Sequence, residues 1–485
     1  MCDRPERAGV AYGGAGADAP CWVGRGPEPR DGGTSMRHLA RLAAALALAL
    51  AWAGPAPAQQ PTEQPGGGQP GWVTAWTGSA QGPYPVGNPS AQPDMRAALP
   101  DPATGARDQS VRLVVRPALW APRARLRLSN AFGARPVTFD GVHAGLQLGA
   151  AAVVPGTNRP VLFDGRPAVT VPPGGHVWSD PVNLPFVRRA GDPDLLGRKL
   201  AVSLHVAGES GPMTWHAKAL QTSYLTPPGA GSKGAEEAEA AFPYGTSSWF
   251  FLDAVDMAAP GTRAVVAFGD SITDGTASTM NGDDRWPDVL ARRLTAAGRA
   301  DLAVVNAGIG GNQVVGPAEY DPRKPVPGGP SALQRLERDV LGLSGVGAVI
   351  WLEGINDFSK NGTATVDAVT AGMTEGVRRL RAALPGVRVI GATLPSALGS
   401  TSPAHGTPEQ DEKRRALNAF IRTAGLFDAV ADFDAATLDP ATGGLRAEFV
   451  PDSTTGGPGD KLHPNRAGYH AMGHAVDLRA LPAAP

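Results

Sequence analysis

The fold of the second half of the chain is decided by the stretch Val265-Val-Ala-Phe-Gly-Asp-Ser-Ile-Thr-Asp-Gly275. Its first residues form an unbroken apolar run, which is typical of a strand buried on both faces. The run stops at a Gly-Asp-Ser turn, where a serine hydroxyl can face solvent at the edge of a sheet. Gly-Asp-Ser is also common in ordinary turns, in which Asp270 or Ser271 would only cap the next segment. The stretch therefore predicts a buried strand and makes Ser271 a candidate nucleophile.

Apolar strands and helical patterns alternate through the rest of this half. Further buried strands are predicted over 302–305, 348–352, 387–394 and 427–433, and helices over 286–297, 332–341, 365–383, 409–424 and from about 465. Apolar strands that alternate with helices favour a parallel sheet covered on both faces. The sequence thus predicts a three-layer α/β domain over 261–482, with its chemistry at the carboxyl ends of the strands.

Residues 72–256 follow a different pattern. Short apolar segments, the clearest over 200–206, are separated by Pro, Gly, Asn and Asp, and no helical pattern lies between them. This pattern predicts an antiparallel β-sandwich domain. Tryptophans in this region could stack on sugars, although aromatic residues of a β-sandwich more often fill its core. They are Trp72, Trp76, Trp120, Trp215 and Trp249.

Residues 1–58 are expected to comprise an upstream extension and a signal peptide whose true start is Met36. Arg37 and Arg41 supply the positive end, 42–53 the apolar run, and an Ala-Pro-Ala cleavage site follows. The apolar run is too short to span a bilayer, so no integral membrane segment is expected in the mature chain. The protein is therefore expected to be secreted or periplasmic.

Residues 59–71 are rich in Gln, Pro and Gly and are expected to form a disordered leader. Both cysteines, Cys2 and Cys21, precede the expected cleavage point. The mature chain would then have no disulfide, no thiolate nucleophile and no cysteine metal site. A formal net charge of -1, without a long run of lysine or arginine, argues against nucleic acid as a partner.

Two further blocks each run from a predicted strand into a polar turn. Val304-Val-Asn-Ala-Gly-Ile-Gly-Gly-Asn312 exposes backbone N–H groups that suit an anion, and it lacks the third glycine of a dinucleotide loop. Val349-Ile-Trp-Leu-Glu-Gly-Ile-Asn-Asp357 ends at Asn356, whose amide donates a hydrogen bond without carrying charge. Such a donor suits an oxyanion, and an Asx-type turn is the alternative.

The last block, Asp460-Lys-Leu-His463-Pro-Asn-Arg-Ala-Gly-Tyr469, precedes the final helix. The spacing lets the carboxylate of Asp460 reach one imidazole nitrogen of His463 while the other nitrogen points at a nucleophile. His470 and His474 would have to join His463 in any metal site, and a surface helix with two histidines is the favoured interpretation. No metal and no organic cofactor is expected.

In this order, the four blocks resemble the SGNH (GDSL-like) hydrolase family over residues 264 to about 480. The resemblance implies a flavodoxin-like sheet, a Ser-His-Asp triad and an oxyanion hole. The implied triad is Ser271 as nucleophile, His463 as base and Asp460 as the group that orients the base. The implied oxyanion donors are the N–H groups of Ser271 and Gly311 and the amide of Asn356, with Gly308 or Gly310 as the donor if the turn is offset. The stretch from Arg125 to Gly133 also resembles the N-terminal β-rich region of some secreted bacterial members.

The resemblance implies a serine esterase that hydrolyses carboxylic esters, with short-acyl or carbohydrate esters as the expected substrates, either small molecules or polysaccharides. A lipase or an acyltransferase would use the same triad, and a non-catalytic carbohydrate-binding surface protein is the alternative from another class. The ester itself depends on loop shape, which the four blocks do not encode. They also imply no particular oligomeric state.

Overall fold

The computed structural model describes residues 71–483. The expected start, signal peptide and leader lie outside these residues, apart from Gly71. Within the described residues, no helix is both long enough and apolar enough to cross a membrane.

The N-terminal β region, residues 71–258, contains short and long strands without an α-helix among its described residues. The strands are β1 (Trp72–Thr77), β2 (Gly82–Pro83), β3 (Arg107–Val115), β4 (Arg123–Ser129), β5 (Val137–Gly149), β6 (Ala152–Val153), β7 (Arg159–Pro160), β8 (Val169–Val171), β9 (His176–Trp178), β10 (Val182–Asn183), β11 (Leu200–Glu209), β12 (Thr214–His216), β13 (Ser223–Leu225), β14 (Tyr244–Thr246), β15 (Trp249–Phe250) and β16 (Leu252–Ala258).

These strands pair antiparallel in three sheets. The paths are β1-β16-β4-β10 with β9 on β4, β14-β13-β3-β11-β5-β6 with β7 and β8 on β5, and β15-β12-β2. Val73, Leu113 and Trp215, one from each sheet, belong to the same buried core cluster. The prediction of an antiparallel β-rich region is confirmed, and its finer description as a β-sandwich stays a prediction.

Four of the five tryptophans considered for sugar stacking lie in the core. Trp76, Trp120, Trp215 and Trp249 are buried, and each is at most 7% exposed. Trp72 is half-buried, with the guanidinium of Arg125 4.9 Å from its ring centroid. The core assignment is therefore correct for four of the five, because their indole rings belong to the buried core cluster of this region.

The α/β domain, residues 261–483, contains a parallel five-stranded sheet. Its strands are β17 (Arg263–Gly269), β18 (Leu302–Gly308), β19 (Val346–Leu352), β20 (Arg388–Ala392) and β21 (Ala429–Ala431). Its helices are α1 (Ser271–Asp274), α2 (Trp286–Ala296), α3 (Ala332–Leu336), α4 (Val366–Ala383), α5 (Pro408–Thr423), α6 (Phe433–Thr437) and α7 (Arg466–Ala475). The strand order β18-β17-β19-β20-β21 is the flavodoxin-like order that the resemblance implies.

Two predicted elements differ from the observed ones. The strand predicted over 427–433 is only Ala429–Ala431, because Asp432 caps a new helix by accepting a hydrogen bond from Ala435 N at 3.1 Å. The helix predicted over 332–341 ends as α3 at Leu336 and continues as one wider π-helical turn over Glu337–Leu341. Both differences depend on local hydrogen bonds that apolar periodicity does not report.

Buried hydrogen bonds join the β region to the α/β domain. Thr74 N donates to Ser344 O at 3.0 Å, and Ser344 Oγ donates to Asp256 Oδ2 at 2.7 Å. Arg127 Nη1 donates to Gly342 O at 3.0 Å. Because separating these groups would leave buried donors and acceptors without partners, the interface is costly to open.

Candidate active site

Ser271 lies just after β17, which pairs with β18 on one side and β19 on the other. A Cβ at Gly269, the last residue of β17, would lie 2.2 Å from Leu352 O, so only glycine allows the strands to approach this closely. Asp270 then caps α1 by accepting a hydrogen bond from Ile272 N at 2.9 Å. Ser271 is the first residue of that helix, and its Oγ lies 2.8 Å from His463 Nε2.

His463 is held by Asp460 on its other side. Asp460 Oδ2 lies 2.6 Å from His463 Nδ1, and Asp460 Oδ1 accepts hydrogen bonds from Leu462 N and His463 N, both at 2.9 Å. An ionised carboxylate can only accept, so Nδ1 carries the proton and Nε2 is free to accept one from Ser271. The structure therefore brings Ser271, His463 and Asp460 into one hydrogen-bonded chain.

The environment of Asp460 keeps its side chain ionised. Burial opposes ionisation, but the hydrogen bonds and charge of His463 outweigh it and hold the pKa of Asp460 well below its usual range. The backbone of Asp460 is fixed as well, since its carbonyl accepts from Ser400 Oγ at 2.7 Å and from Thr401 N at 3.0 Å. The carboxylate is thus both charged and fixed in place.

The glycine-rich turn offers one free N–H among its three candidate glycines. Gly308 N donates to Asn306 Oδ1 and Gly310 N donates to Asp274 Oδ2, each at 2.9 Å. Gly311 N has no acceptor among residues 71–483. Its φ of +85° lies in the left-handed region that favours glycine. Of the three, Gly311 is the residue whose N–H is available to an oxyanion.

Asn356 follows β19, and both ends of its side-chain amide are fixed. Its Nδ2 donates to Asn312 O at 3.0 Å, which leaves one N–H for a ligand. Its Oδ1 lies 3.2 Å from Nε2 of His405, whose Nδ1 lies 3.2 Å from Ser402 Oγ. Burial, followed by the charge of His463, lowers the pKa of His405 to about 4, so the ring is neutral near pH 7.

Arg335 joins the strand ends around the site. It is buried under the sheet edge, where its guanidinium donates to Gly269 O and Ala307 O, both at 2.8 Å, and to Asn312 Oδ1 at 2.6 Å. The guanidinium also lies 4.1 Å from the ring centroid of Phe268. Arg335 thus connects the serine turn, the glycine turn and, through Asn312, the amide of Asn356.

Sequence reasoning missed four residues that support the site: Arg335, His405, Asp274 and Asp357. Asp357 accepts hydrogen bonds from Val314 N at 2.8 Å and Val315 N at 3.1 Å, and thereby fixes the loop after the glycine turn. Asp274 and Asp357 stand inside quoted blocks, so their proximity to the candidate residues was a usable signal. Arg335 and His405 lie outside the blocks, and no spacing rule indicated them.

The histidines that could have suggested a metal do not assemble into a site. His470 and His474 lie together on α7, with ring centroids 4.4 Å apart, whereas His463 is bonded to Ser271 and Asp460. Among residues 71–483, no group of three or more His, Cys, Asp or Glu side chains is placed to hold a metal ion.

A serine, an imidazole and a carboxylate in hydrogen-bonded order at the carboxyl edge of a parallel sheet define the class of α/β serine hydrolases. Within that class, residues 267–471 match the model of the GDSL-like Lipase/Acylhydrolase family. The chain therefore contains a GDSL-like acylhydrolase domain, and it is an enzyme of the carboxylic ester hydrolase type.

Several solved structures are similar to about half of the chain. A carbohydrate acetylesterase from Sinorhizobium meliloti is 17% identical over 44% of this chain and 96% of its own, with a TM-score of 0.33. An aryl esterase from M. smegmatis is 19% identical over 46% of this chain and 100% of its own, with a TM-score of 0.34. A lipase/acylhydrolase from Enterococcus faecalis is 25% identical over 44% of this chain and 93% of its own, with a TM-score of 0.32. The comparison with curated proteins gave no match.

Proposed function

We propose that this protein is a secreted or periplasmic serine esterase that hydrolyses short-acyl or carbohydrate esters with a Ser271-His463-Asp460 triad. The observation that carries the proposal is the chain of hydrogen bonds from Ser271 Oγ to His463 Nε2 at 2.8 Å and from His463 Nδ1 to Asp460 Oδ2 at 2.6 Å. This arrangement gives a serine hydroxyl an oriented base, which is what nucleophilic attack on an ester requires.

In the proposed reaction, His463 Nε2 takes the hydroxyl proton while Ser271 Oγ bonds to the carbonyl carbon. The carbonyl π electrons move to oxygen, and the oxyanion accepts hydrogen bonds from the N–H groups of Ser271 and Gly311 and from the amide of Asn356. When the ester C–O bond breaks, His463 returns the proton to the departing alcohol. Water then attacks the acyl-enzyme by the same route, which releases the acid and restores Ser271.

The short-acyl part of the proposal is tested with esters that differ in acyl length. The experiment is hydrolysis of p-nitrophenyl acetate, butyrate and longer esters, together with acetate release from acetylated polysaccharide. A preference for long acyl chains would contradict the proposed substrate class.

Export and the β-sandwich description are part of the same proposal. The order of charge, apolar run and cleavage site after Met36 supports export. The three antiparallel sheets around one core cluster support a sandwich. Mass analysis of the protein from culture medium or periplasm checks the export step, since the processed chain would begin at Gln59. A chain found only in the cytoplasm with its N-terminus intact would contradict it.

Replacing Asn356 with alanine is expected to lower kcat by about 10²-fold to 10³-fold, because one oxyanion donor is removed. KM should change little, since the bond matters most when charge develops on the carbonyl oxygen. Steady-state kinetics with p-nitrophenyl acetate measures both constants. A kcat within twofold of the wild-type value would exclude Asn356 from the oxyanion hole.

Two His405 variants provide the matched comparison for Asn356. The His405→Gln side chain keeps a donor near the Nε2 position and can still fix the Asn356 oxygen, so kcat should stay near the wild-type value. The His405→Phe side chain removes the donor and frees the amide to rotate, and kcat should fall by about 10-fold to 100-fold. Equal kcat values for the two variants would rule out amide orientation by His405.

A further inference from the structure

Two basic side chains of the N-terminal β region lie beside the serine turn of the α/β domain. His216 is the last residue of β12, and Lys218 follows two residues later. Both are only 4% exposed, so neither serves as a surface charge. A buried charged side chain is rare unless it is paired, and each of these two has its hydrogen-bond partner next to the candidate active site.

His216 bridges the two parts of the protein. Its Nδ1 lies 2.7 Å from Ser79 O of its own region, and its Nε2 lies 3.1 Å from Asp274 Oδ1 in α1. The ring also stacks beside Trp249, with centroids 5.3 Å apart. A histidine that donates to acceptors at both nitrogens carries a positive charge, which matches the negative charge of Asp274.

The second oxygen of Asp274 continues this bridge into the glycine turn. Asp274 is 1% exposed, and its Oδ2 accepts the hydrogen bond from Gly310 N at 2.9 Å. Gly310 immediately precedes Gly311, whose N–H has no acceptor among the described residues and is available to an oxyanion. The contacts therefore run without interruption from Ser79 through His216 and Asp274 to the residue before the oxyanion donor.

We propose that the N-terminal β region is a working part of the active site, in which His216 acts through Asp274 as a positioning residue for the Gly310–Gly311 turn. Without the bridge, the Gly310 N–H would lose its fixed acceptor, and the direction of the Gly311 N–H would vary. The proposal rests on the serine esterase function, because it assigns His216 an effect on the oxyanion hole of that reaction.

Charges around His216 fit this role. Burial opposes protonation of the ring, but the carboxylate of Asp274 and the carbonyl of Ser79 outweigh burial, and Arg285 opposes protonation slightly, so the pKa of His216 is raised. Lys218 lies in the same place, and its Nζ bonds to Thr276 Oγ1. Burial lowers the pKa of Lys218, with Asp274 and the other nearby carboxylates opposing that effect.

The β region also holds the loop that follows the glycine turn. Gln81 Nε2 donates to Pro327 O at 3.2 Å, and Tyr320 Oη donates to Gln81 O at 3.3 Å. Inside the loop, Asn312 Nδ2 donates to Gly328 O at 2.7 Å. The turn that contains Gly311 is thus connected to the β region by a second set of hydrogen bonds, through the loop that follows it.

The test uses two amide substitutions that each copy one nitrogen of the imidazole. In His216→Gln the amide nitrogen falls near the Nε2 position and can still donate to Asp274. In His216→Asn it falls near the Nδ1 position, so it keeps the bond to Ser79 O but loses Asp274. The full chain with His216→Gln should keep kcat for p-nitrophenyl acetate within about threefold, and His216→Asn should lower kcat by about 10-fold to 100-fold with little change in KM.

His205 supplies the matched control pair. It lies on β11 in the same region, and, like His216, it has an acceptor at each ring nitrogen. These acceptors are Asp140 Oδ1 at 2.6 Å and Asp108 Oδ1 at 2.9 Å. His205→Asn and His205→Gln should leave kcat unchanged whatever they do to the melting temperature. If kcat fell in the His216 variants and in the His205 variants alike, in proportion to the fall in melting temperature, the bridge would only stabilise the fold. The proposal would then be wrong.

Asp274→Ala gives a second test from the other side of the bridge, because it removes the shared partner of Gly310 N and His216 Nε2 without substituting a residue of the β region. The same fall in kcat is expected, and a wild-type kcat in either Asp274→Ala or His216→Asn would overturn the proposal. Failure of the esterase function itself is recognised separately, because the wild-type chain would then hydrolyse no ester or would lose nothing with Ser271→Ala.

Discussion

Replacing Ser271 with alanine is expected to lower kcat by about 10⁴-fold to 10⁶-fold. The variant has no oxygen to bond to the acyl carbon, so the covalent route is lost. Only the slower catalysis that comes from binding and from the oxyanion donors remains. The measurement is hydrolysis of p-nitrophenyl acetate by the purified chain and the variant, with the melting temperature of each as a check on folding.

Ser278 supplies a serine control in the same segment. Its side chain is 1% exposed, and its hydroxyl has no hydrogen-bond partner among residues 71–483. Ser278→Ala should therefore retain kcat within about twofold, since a buried hydroxyl without a partner adds nothing that alanine lacks. Undiminished hydrolysis by Ser271→Ala would mean that another residue is the nucleophile, and the mechanism proposed above would be wrong.

The parallel sheet and the candidate residues could be predicted because their signals are local. The run over 264–268 is apolar at every position, which is typical of a strand buried on both faces. The spacing between Asp460 and His463 lets a carboxylate reach an imidazole within one loop. Each signal is contained in a few consecutive residues, so a single sequence was enough to find it.

The bridge from the β region could not be predicted in this way. His216 and Asp274 are 58 positions apart and meet only after two regions have packed together. In the sequence, His216 lies outside the four blocks, and Asp274 stands inside the first block without a partner that its spacing would indicate. Arg335 is similar, since its contacts with Gly269 O and Ala307 O depend on how α3 packs under the sheet edge. Polar contacts between residues far apart in the chain leave no periodic pattern in the sequence from which they could be predicted.

Replacing Asp460 with asparagine is expected to lower kcat by about 10⁴-fold and to leave KM nearly unchanged. The reason lies in how the two carboxylate oxygens are used. Asp460 Oδ1 accepts from Leu462 N and His463 N, so the asparagine oxygen must take that position. The asparagine NH₂ group then faces His463 Nδ1 and donates to it. The imidazole proton moves to Nε2, and a protonated Nε2 cannot take the proton of Ser271.

Steady-state kinetics of Asp460→Asn near neutral pH measures this effect, and the melting temperature checks that the loop is intact. Asp452 offers a matched control, because its carboxylate also accepts from backbone N–H groups of its own turn, Thr454 N at 2.7 Å among them, and contacts none of the candidate catalytic residues. Asp452→Asn should therefore keep kcat within about twofold. The loss in Asp460→Asn should appear in kcat, because substrate contacts remain while the base holds the wrong tautomer. Wild-type turnover by Asp460→Asn would show that His463 is oriented by its other contacts, and Asp460 would then have no role in the reaction.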